Sequence, residues 1–600
     1  MTHACYYFFV SITPKWSPQV SVLFLCLAFA LGLRAQSTGA QGGDGAAQAK
    51  AAYAQGMAAL QSADLASARA AFERAARLAP RSPEAHNSLG WVLLAQNEID
   101  PAIAEFQAAV NLTFDFSQAH MNLSNALLRK GDAKGAIREA REAVRFAPTD
   151  SEAYRTLARA RDFSGDAAGA TKEMRRAVEL DPGRAELHDD LGSLLVHEGQ
   201  TKEAESEFSE ALRLRPDFAP AHLHLGVLLF EQKAFDAAAG QLNDATRLDA
   251  GNAQAHFYLG QALNEKGDAE GAVRALQMAV KLQPGFFEAQ NLLGLWLQRS
   301  GNVDEAVTAF REAVKLQPEN PDGHNNLGLA LLQTGNASIS IPEFQAALRL
   351  RPRDTRYQTN LGVAYLQKTD FDAAVGEFQA ALQTSPQDAT LHYDLGLALK
   401  LKDKLTEATA EFRKAEELDP QQADVHYTLG VTLWQQGDFP AAAEELRAAV
   451  HAKPDYAEAY YTLGSVLKQQ GKLEEAATAL REAIRLQPDF AGAHTTLAGV
   501  LRQLGDTAGA AAESKAGAEI GKQKTDQQAA LFATNSGKRL LNSGDLDGAI
   551  SQFRSAIGAA PEYAGAHFQL GLALQRKGEK DEAAKEFRRA AELDPRLAAP

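Results

Sequence analysis

Small, apolar and polar residues recur along the chain with a period of 34 residues. Proline marks the period at Pro148, Pro182 and Pro216, and the same step returns from Pro284 to Pro488. With the proline set as position 32, residues 49–597 divide into sixteen repeats, interrupted once at 525–529. Position 8 is small, alanine recurs at positions 20 and 27, and position 24 is usually large and apolar.

Each repeat predicts two helices. Packing residues at positions 4, 7, 8 and 11 share one face of a first helix. Glycine at position 15, as in Gly131 and Gly437, allows the left-handed turn that ends this helix, and the Asp or Asn at position 16 caps the second one. Proline at position 32 ends the second helix. One helix pair cannot bury its apolar faces alone, so we expect the repeats to stack into an all-α solenoid.

The N-terminal residues depart from the repeat pattern. Residues 1–35 contain the apolar run Val20–Leu33, which is shorter than the roughly 20 residues of a membrane span. The run fits the hydrophobic region of a secretory signal, with cleavage after Ala35. This predicts an exported protein, periplasmic or associated with the cell envelope. An uncleaved N-terminal membrane anchor is the alternative, and residues 36–48 are expected to form a flexible linker.

Repeats 1–14 are predicted to span 49–524, and repeats 15 and 16 to span 530–597. In repeat 14, Ser514, Gly517 and Lys522 replace the aromatic residue, the alanine and the proline. The run from Thr507 to Ala530 therefore predicts either one longer helix or a joint, with 525–529 as an insertion. The final repeat lacks the polar capping helix that solenoids need. We expect its end to be covered by a partner or by a second copy of the chain.

Composition and motifs exclude several functional classes. The chain carries a net charge of −15 and has no run of Lys or Arg, which argues against nucleic acid as a partner. Its only cysteines, Cys5 and Cys26, precede the predicted cleavage site, so the mature protein would have no disulfide and no cysteine-ligated zinc. The sequence contains no phosphate-binding GxxxxGK[ST] loop and no GxSxG elbow. We expect no cofactor and no catalysis.

Histidine occupies position 4 in ten repeats. Stacked repeats place equivalent residues on the order of 10 Å apart, whereas zinc ligands lie about 2 Å from their ion. The histidines therefore cannot share metal ions, and we expect no Glu or Asp at a fixed partner position. Asp189 and Asp190 form a carboxylate pair that is interpreted as solvated or as part of a groove. The histidines are predicted to be packing residues, and no metal site is expected.

The repeat pattern resembles the tetratricopeptide repeat (TPR). The shared features are the period, the small residue at position 8, alanine at 20 and 27, the aromatic residue at 24 and proline at 32. This resemblance covers about nine-tenths of the chain. It implies a right-handed superhelical solenoid whose first helices line a concave, peptide-binding groove. Repeats such as "AHMNLS" at 119–124 most resemble those of the O-linked N-acetylglucosamine transferase family. In that family a catalytic region follows the repeats; none follows Pro595 here, so transferase activity is not expected.

Positions 2, 5, 6, 9, 12 and 13 point away from the packed face and are predicted to face the groove. These positions carry several carboxamide side chains in repeats 8–10 and several aromatic side chains in repeats 11–13. In the transferase family, asparagines at position 6 bind the backbone of the peptide, and three asparagines of this chain match that position. The alternative interpretation of both zones is that these side chains are common at their positions in such repeats and have no role in binding. The predicted peptide-binding residues are Asn122, Asn291, Asn325, Asn326, Asn360, Tyr393, Tyr427, Trp434 and Tyr461.

These observations predict a non-enzymatic scaffold that binds proteins or peptides in its groove. Contact with a membrane is expected only through an uncleaved N-terminal segment. The alternative is a TPR-only relative, or an accessory subunit, of a glycosyltransferase like the O-linked N-acetylglucosamine transferases.

Overall fold

The computed structural model describes residues 43–597, and the predicted signal segment 1–35 lies outside them. The described residues form 31 α-helices and one short 3-10 helix, with no strand. The chain divides into two compact units, which meet in sequence at Leu316 and Gln317. Within residues 43–597, no helix combines the length and apolar character that crossing a membrane requires.

The described part of the first unit, residues 43–316, contains sixteen helices, and each packs against the next one along the chain. Odd-numbered helices are the first helices of repeats 1–8, and even-numbered helices are the second ones. The helices are α1 (Gly43–Gln61), α2 (Leu65–Leu78), α3 (Pro83–Ala95), α4 (Ile99–Leu112), α5 (Ser117–Lys130), α6 (Ala133–Phe146), α7 (Ser151–Phe163), α8 (Ala167–Leu180), α9 (Ala185–His197), α10 (Thr201–Leu214), α11 (Ala219–Glu231), α12 (Phe235–Leu248), α13 (Ala253–Glu265), α14 (Ala269–Leu282), α15 (Phe287–Arg299) and α16 (Val303–Leu316).

The second unit continues the succession of first and second helices through repeats 9–16, except where one helix joins repeats 14 and 15. Its helices are α17 (Pro321–Gln333), α18 (Ala337–Leu350), α19 (Thr355–Gln367), α20 (Phe371–Thr384), α21 (Ala389–Leu401), α22 (Leu405–Leu418), α23 (Ala423–Gln436), α24 (Phe439–Ala452), α25 (Ala457–Gln469), α26 (Leu473–Leu486), α27 (Ala491–Gln503), α28 (Thr507–Ser543), α29 (Leu546–Ala559), α30 (Ala564–Lys577) and α31 (Lys580–Leu593), followed by a 3-10 helix at Pro595–Leu597. The predicted all-α helical repeat solenoid is confirmed.

Repeats 14 and 15 are joined by one continuous helix. Helix α28 runs for 37 residues and combines the second helix of repeat 14 with the first helix of repeat 15. Of the two predicted alternatives, the structure therefore has the longer helix, and residues 525–529 lie inside it. Lys522 stands where most other repeats have a helix-ending proline, and no turn residue replaces that proline.

The described chain begins in a helix. Helix α1 starts at Gly43, so the last part of the predicted linker 36–48 is helical. This correction has a local cause, because residues 46–52 are mostly alanine, which has the highest helix propensity.

Position 15 adopts the left-handed conformation throughout both units. Eleven glycines at this position have φ between 74° and 93°. Five other repeats place Ala63, Asn97, Lys233, Thr369 and Asp403 there, also with positive φ. The turn geometry is therefore set by the repeat as a whole, and it is kept even where no glycine is present. After the turn, an aspartate at position 16 accepts a hydrogen bond from a backbone N–H of the second helix, as Asp438 does from Ala441.

The two helices of each repeat approach closely at positions 8 and 24. Phe378 at position 24 is fully buried, and a Cβ atom added at Gly362 would lie 2.6 Å from its ring. Real Cβ atoms do not approach a ring so closely. The same close approach joins Gly90 to Phe106 and Gly396 to Phe412. Glycine at position 8 is therefore needed wherever a phenylalanine fills position 24.

We predict that Gly362→Ala destabilises repeat 10 by about 1–3 kcal/mol, because the added methyl group overpacks the contact with Phe378. Adding Phe378→Met should recover much of the loss, since repeat 4 combines Ala158 with Met174 at the same two positions. The thermal unfolding midpoint, together with hydrogen exchange in residues 355–388, measures both effects. A double variant no more stable than the single one would contradict this explanation.

Candidate peptide-binding surface

Within each unit, the first helices of neighbouring repeats lie against one another. Such contacts join α3 to α5, α5 to α7, α9 to α11 and α11 to α13 in the first unit. In the second unit they join α17 to α19, α23 to α25 and α25 to α27. In the described chain, neighbouring second helices make no contacts of comparable extent. The first helices therefore form the inner side of each stack, and we call their exposed side the first-helix face.

The histidines at position 4 hold neighbouring repeats together. The Nε2–H of His188 donates to the carbonyl oxygen of Pro182 in the preceding repeat (3.1 Å), and its Nδ1 lies 2.6 Å from Oε2 of Glu207 in its own second helix. The same arrangement, which we call the histidine clamp, recurs with a glutamate at position 23. Its members are His86–Glu105, His120–Glu139, His188–Glu207, His324–Glu343, His392–Glu411, His426–Glu445, His494–Glu513 and His567–Glu586.

This clamp corrects one statement of the sequence analysis. An acidic residue does occupy a fixed partner position for the histidines, 19 residues further along the chain. The ladder was predicted to consist of packing residues. The structure shows buried or half-buried rings that also form hydrogen bonds through both nitrogen atoms, as His188 does.

The clamp of His188 favours a doubly protonated imidazole. Both ring nitrogens of His188 face oxygen acceptors, so an ionised Glu207 is best satisfied when both nitrogens carry hydrogen. The hydrogen bond to Glu207 raises the pKa of His188, against the opposing effect of burial and with a smaller contribution from Glu210. His256 provides the contrast, because its repeat has Ala275 at position 23 and burial lowers the pKa of His256.

We predict that the stability provided by the His188 clamp depends on pH. Because the pKa of His188 is higher in the folded chain than in the unfolded chain, this stabilisation is complete below about pH 6.5 and is lost as the pH rises through the raised value. The destabilisation caused by His188→Asn should therefore shrink between pH 6 and pH 9. Thermal unfolding of both chains across this range measures it.

His222 provides the matched control. Its Nδ1 lies 2.7 Å from the side-chain amide of Gln241, which can turn to donate a hydrogen bond, so no ion pair forms there. His222→Asn removes the equivalent pair of hydrogen bonds without removing an ion pair. An equal pH dependence of the two variants would contradict the assignment of charge to the His188 clamp.

A second ladder links the first helices through positions 5 and 6. The side chain at position 5 of one repeat bonds to the side chain at position 6 of the next repeat, 35 residues further on. Asn122 thus donates through Nδ2 to Oδ1 of Asn87 (2.9 Å), and Asn360 donates likewise to Asn325 (2.7 Å). The other members are Tyr53–Ser88, Arg155–Asp190, Asp189–His224 and Tyr393–Thr428. Many polar side chains of the predicted groove therefore already form hydrogen bonds with the neighbouring repeat.

The predicted carboxamide zone contains two kinds of residue. Asn325 is buried, with 5% of its surface exposed, so its side chain supports Asn360 and does not face outward. Asn122, Asn291, Asn326 and Asn360 are half-buried on first helices. The side chain of Asn122 also accepts a hydrogen bond from Gln118 (3.3 Å). The role of the four half-buried asparagines in binding stays a prediction.

The predicted aromatic zone is half-buried and firmly held. The ring of Tyr427 packs against Tyr456 with centroids 5.0 Å apart, and that of Tyr461 packs against Phe490 at 4.7 Å. Nε1–H of Trp434 donates to Oε1 of Gln469 in the next repeat (2.7 Å). The hydroxyl of Tyr393 lies 3.2 Å from Oγ1 of Thr428. These four side chains present a fixed, partly exposed aromatic surface across repeats 11–13.

Asp394 lies beside this aromatic surface and is not among the binding residues predicted from the sequence. Its half-buried carboxylate occupies position 6 of repeat 11, and no other described residue forms a hydrogen bond or ion pair with it. Burial, reinforced by the carboxylate of Asp388, raises the pKa of Asp394 to about 6. The sequence did contain a signal for this residue. Position 6 is neutral in the two adjacent repeats, where it is Asn360 and Thr428, whereas Asp394 is charged.

Asp189 and Asp190 are each engaged with the neighbouring repeats. Asp189 lies 2.8 Å from Nδ1 of His224, and Asp190 accepts a hydrogen bond from Nε of Arg155 (2.6 Å). Nearby Arg155 and Arg159 lower the pKa of Asp190 to about 2, although burial opposes this shift. The buried Asp189 and the half-buried Asp190 therefore form ion pairs between the first helices of neighbouring repeats, and the interpretation of a solvated pair is wrong.

Comparisons with known proteins agree with the repeat geometry. A tetratricopeptide repeat model matches residues 53–115, 330–389, 359–423, 427–489, 461–522 and 534–598, and a second TPR repeat model matches 297–335. The model named "Cilia and flagella-associated protein 70 middle TPR-like domain" matches residues 154–283. No curated protein matches the chain at a significant level.

Solved structures provide further similar proteins. YrrB, described as a TPR protein with an unusual peptide-binding site, is 22% identical, with a TM-score of 0.30 over 31% of this chain and 96% of its own. The Cut9–Hcn1 hetero-tetramer of the APC/C is 15% identical, with a TM-score of 0.35 over 76% and 97% of the two chains. Yeast Tom70 is 18% identical, with a TM-score of 0.33 over 70% and 96%.

The matched tetratricopeptide segments cover more than half of the chain. They coincide with helix pairs that have the left-handed turn at position 15 and the close approach between positions 8 and 24. The chain belongs to the tetratricopeptide repeat family.

Proposed function

We propose that this chain is a non-catalytic scaffold that binds proteins or peptides on its first-helix face. The observation that carries the proposal is the fixed aromatic surface of Tyr393, Tyr427, Trp434 and Tyr461. Aromatic side chains are frequent anchors of protein interfaces. Here, hydrogen bonds and ring contacts to other residues already hold them in place, so little side-chain freedom remains to be lost on binding.

The spacing of these anchors suggests the conformation of the bound segment. Equivalent residues in stacked helices lie on the order of 10 Å apart, and an extended chain advances about 3.3 Å per residue. Tyr393, Tyr427 and Tyr461 would therefore contact every third residue of an extended peptide. The unpaired carboxylate of Asp394 favours a basic side chain at that end of the segment.

The location of the protein is also part of this proposal. The apolar run Val20–Leu33 supports export to the periplasm or cell envelope, with an N-terminal membrane anchor as the alternative. An accessory subunit of a glycosyltransferase resembling the O-linked N-acetylglucosamine transferases is the second candidate function. Asn122, Asn326 and Asn360 at position 6 favour it, and it would use the same face. Coprecipitation of a transferase with the full chain would distinguish this function.

Binding of a peptide library to the full chain tests the proposed function. We expect selected peptides to carry apolar residues at every third position and a basic residue at one end. Replacing Tyr393, Tyr427 and Tyr461 by Thr should weaken binding at least about tenfold, because the anchors are lost. Thr359 and Thr495 occupy position 5 in repeats 10 and 14, so this change suits the fold.

The matched control changes exposed residues on the second helices of the same repeats. Arg413, Glu444 and Arg481 are exposed on α22, α24 and α26, and their replacement by Ala should leave affinity unchanged. Fluorescence anisotropy with a selected peptide measures all three chains. Equal affinities of the wild-type chain and the Tyr variant would contradict the assignment of the binding face.

We predict that Asp394→Asn stabilises the chain and weakens binding of basic peptides. The folded state disfavours the ionised carboxylate, so its cost is absent below about pH 4, grows as the pH rises to about 6 and is constant above that. The gain in unfolding midpoint should therefore be largest at neutral pH and should vanish towards pH 4. Affinity for a basic peptide should fall about tenfold at pH 7.5. Unchanged affinity would remove Asp394 from the binding surface.

A further inference from the structure

One histidine clamp has a second carboxylate. In the clamp of repeat 12, Nδ1 of His426 lies 2.8 Å from Oε2 of Glu445 and 3.8 Å from Oε1 of Glu416. A ligand atom from each of the three residues lies within 4.8 Å of the other two. Glu416 belongs to α22 of repeat 11, whereas His426 and Glu445 belong to α23 and α24 of repeat 12. The group therefore joins two repeats through three helices.

Glu416 is exceptional for its place in the repeat. It occupies position 28, where every other repeat has an aliphatic residue or, once, Thr246. Repeats 5, 9 and 10 have leucine there, at Leu212, Leu348 and Leu382. Burial and the neighbouring carboxylate of Glu445 raise the pKa of Glu416, so the carboxylate is held in an unfavourable electrostatic setting. Packing between the repeats does not explain a glutamate at this position.

The ring of His426 is oriented as in a metal ligand. Its Nε2–H donates to the carbonyl oxygen of Pro420 (3.0 Å), which directs Nδ1 towards the two carboxylates. Such a hydrogen bond from the second ring nitrogen is typical of histidines that coordinate metals. The side chain of His426 is 8% exposed, and those of Glu445 and Glu416 are 20% and 31% exposed, so solvent can reach the oxygen side of the group.

We propose that Glu416, His426 and Glu445 form a binding site for one Zn²⁺ ion. Atoms that coordinate zinc tetrahedrally at about 2.1 Å lie about 3.4 Å from one another, and this group needs only small side-chain shifts to reach that spacing. An imidazole nitrogen favours zinc over Mg²⁺ and Ca²⁺, which prefer oxygen ligands alone. Water completes the coordination. The bound ion would replace the proton between His426 and Glu445 and would link repeats 11 and 12.

The remaining clamps show why this site is local. The clamp of repeat 11 has His392 and Glu411 2.6 Å apart, but Leu382 occupies the place equivalent to Glu416. The clamp of repeat 11 therefore offers two ligands, and a site with two protein ligands binds zinc much more weakly than a site with three. From the sequence no metal site is expected, because the histidines of successive repeats lie too far apart to share an ion. The inferred site instead uses one histidine and two carboxylates that are distant in sequence.

Zinc binding to the full chain tests the proposal. Zinc stoichiometry is measured by competition with a chromophoric chelator, for the wild-type chain and for Glu416→Leu, which restores the residue of other repeats. We expect the variant to lose one equivalent, or at least about tenfold in affinity, compared with the wild-type chain. Zinc should also raise the unfolding midpoint of the wild-type chain more than that of the variant, because the ion binds the folded state.

Two further variants keep the test decisive. Glu416→Gln preserves the size of the side chain and should give the same loss. Glu411→Gln changes the equivalent clamp glutamate of repeat 11 and should leave zinc binding unchanged. The proposal is overturned if the wild-type chain binds no zinc, or if it and both Glu416 variants bind zinc equally.

Discussion

The close approach of two helices at positions 8 and 24 is the constraint on which the rest of this structure depends. A phenylalanine ring at position 24, such as Phe412, fills the space that a Cβ atom at Gly396 would need. Where position 8 carries a side chain, position 24 changes with it, in the pairs Ser124–Ala140, Ala158–Met174 and Ala498–Ser514. The distance between the helices is thus maintained by complementary sizes at two positions.

This distance fixes the relative places of the other groups. The helix pair holds positions 4 and 23 of one repeat close enough for the histidine clamp, and the proline at position 32 of the preceding repeat supplies its carbonyl oxygen. Glutamate at position 23 was present in the sequence as a recurring signal. It was missed because His188 and Glu207 lie on different helices, and no helical period relates residues 19 apart.

The parts of the fold that could be predicted depend on properties of single residues. Glycine and proline mark turns because of their backbone conformations, so the helix boundaries were predictable from residues such as Gly437 and Pro420. The fused helix α28 stayed one of two alternatives, because a missing proline permits a continuous helix but does not require one. The burial of Asn325 was not predictable, since it depends on how one repeat is offset against the next.

A repeated frame also permits local chemical differences. Each repeat contacts chiefly its neighbours, so a substitution at one position alters its surroundings without disturbing distant repeats. The histidine at position 4 faces an amide in repeat 6, one carboxylate in repeat 5 and two carboxylates in repeat 12. The backbone arrangement around these histidines is the same, including the bond to the carbonyl at position 32. Differences in charge at positions 23 and 28 therefore determine which groups each histidine faces, while packing at positions 8 and 24 keeps the ring in place.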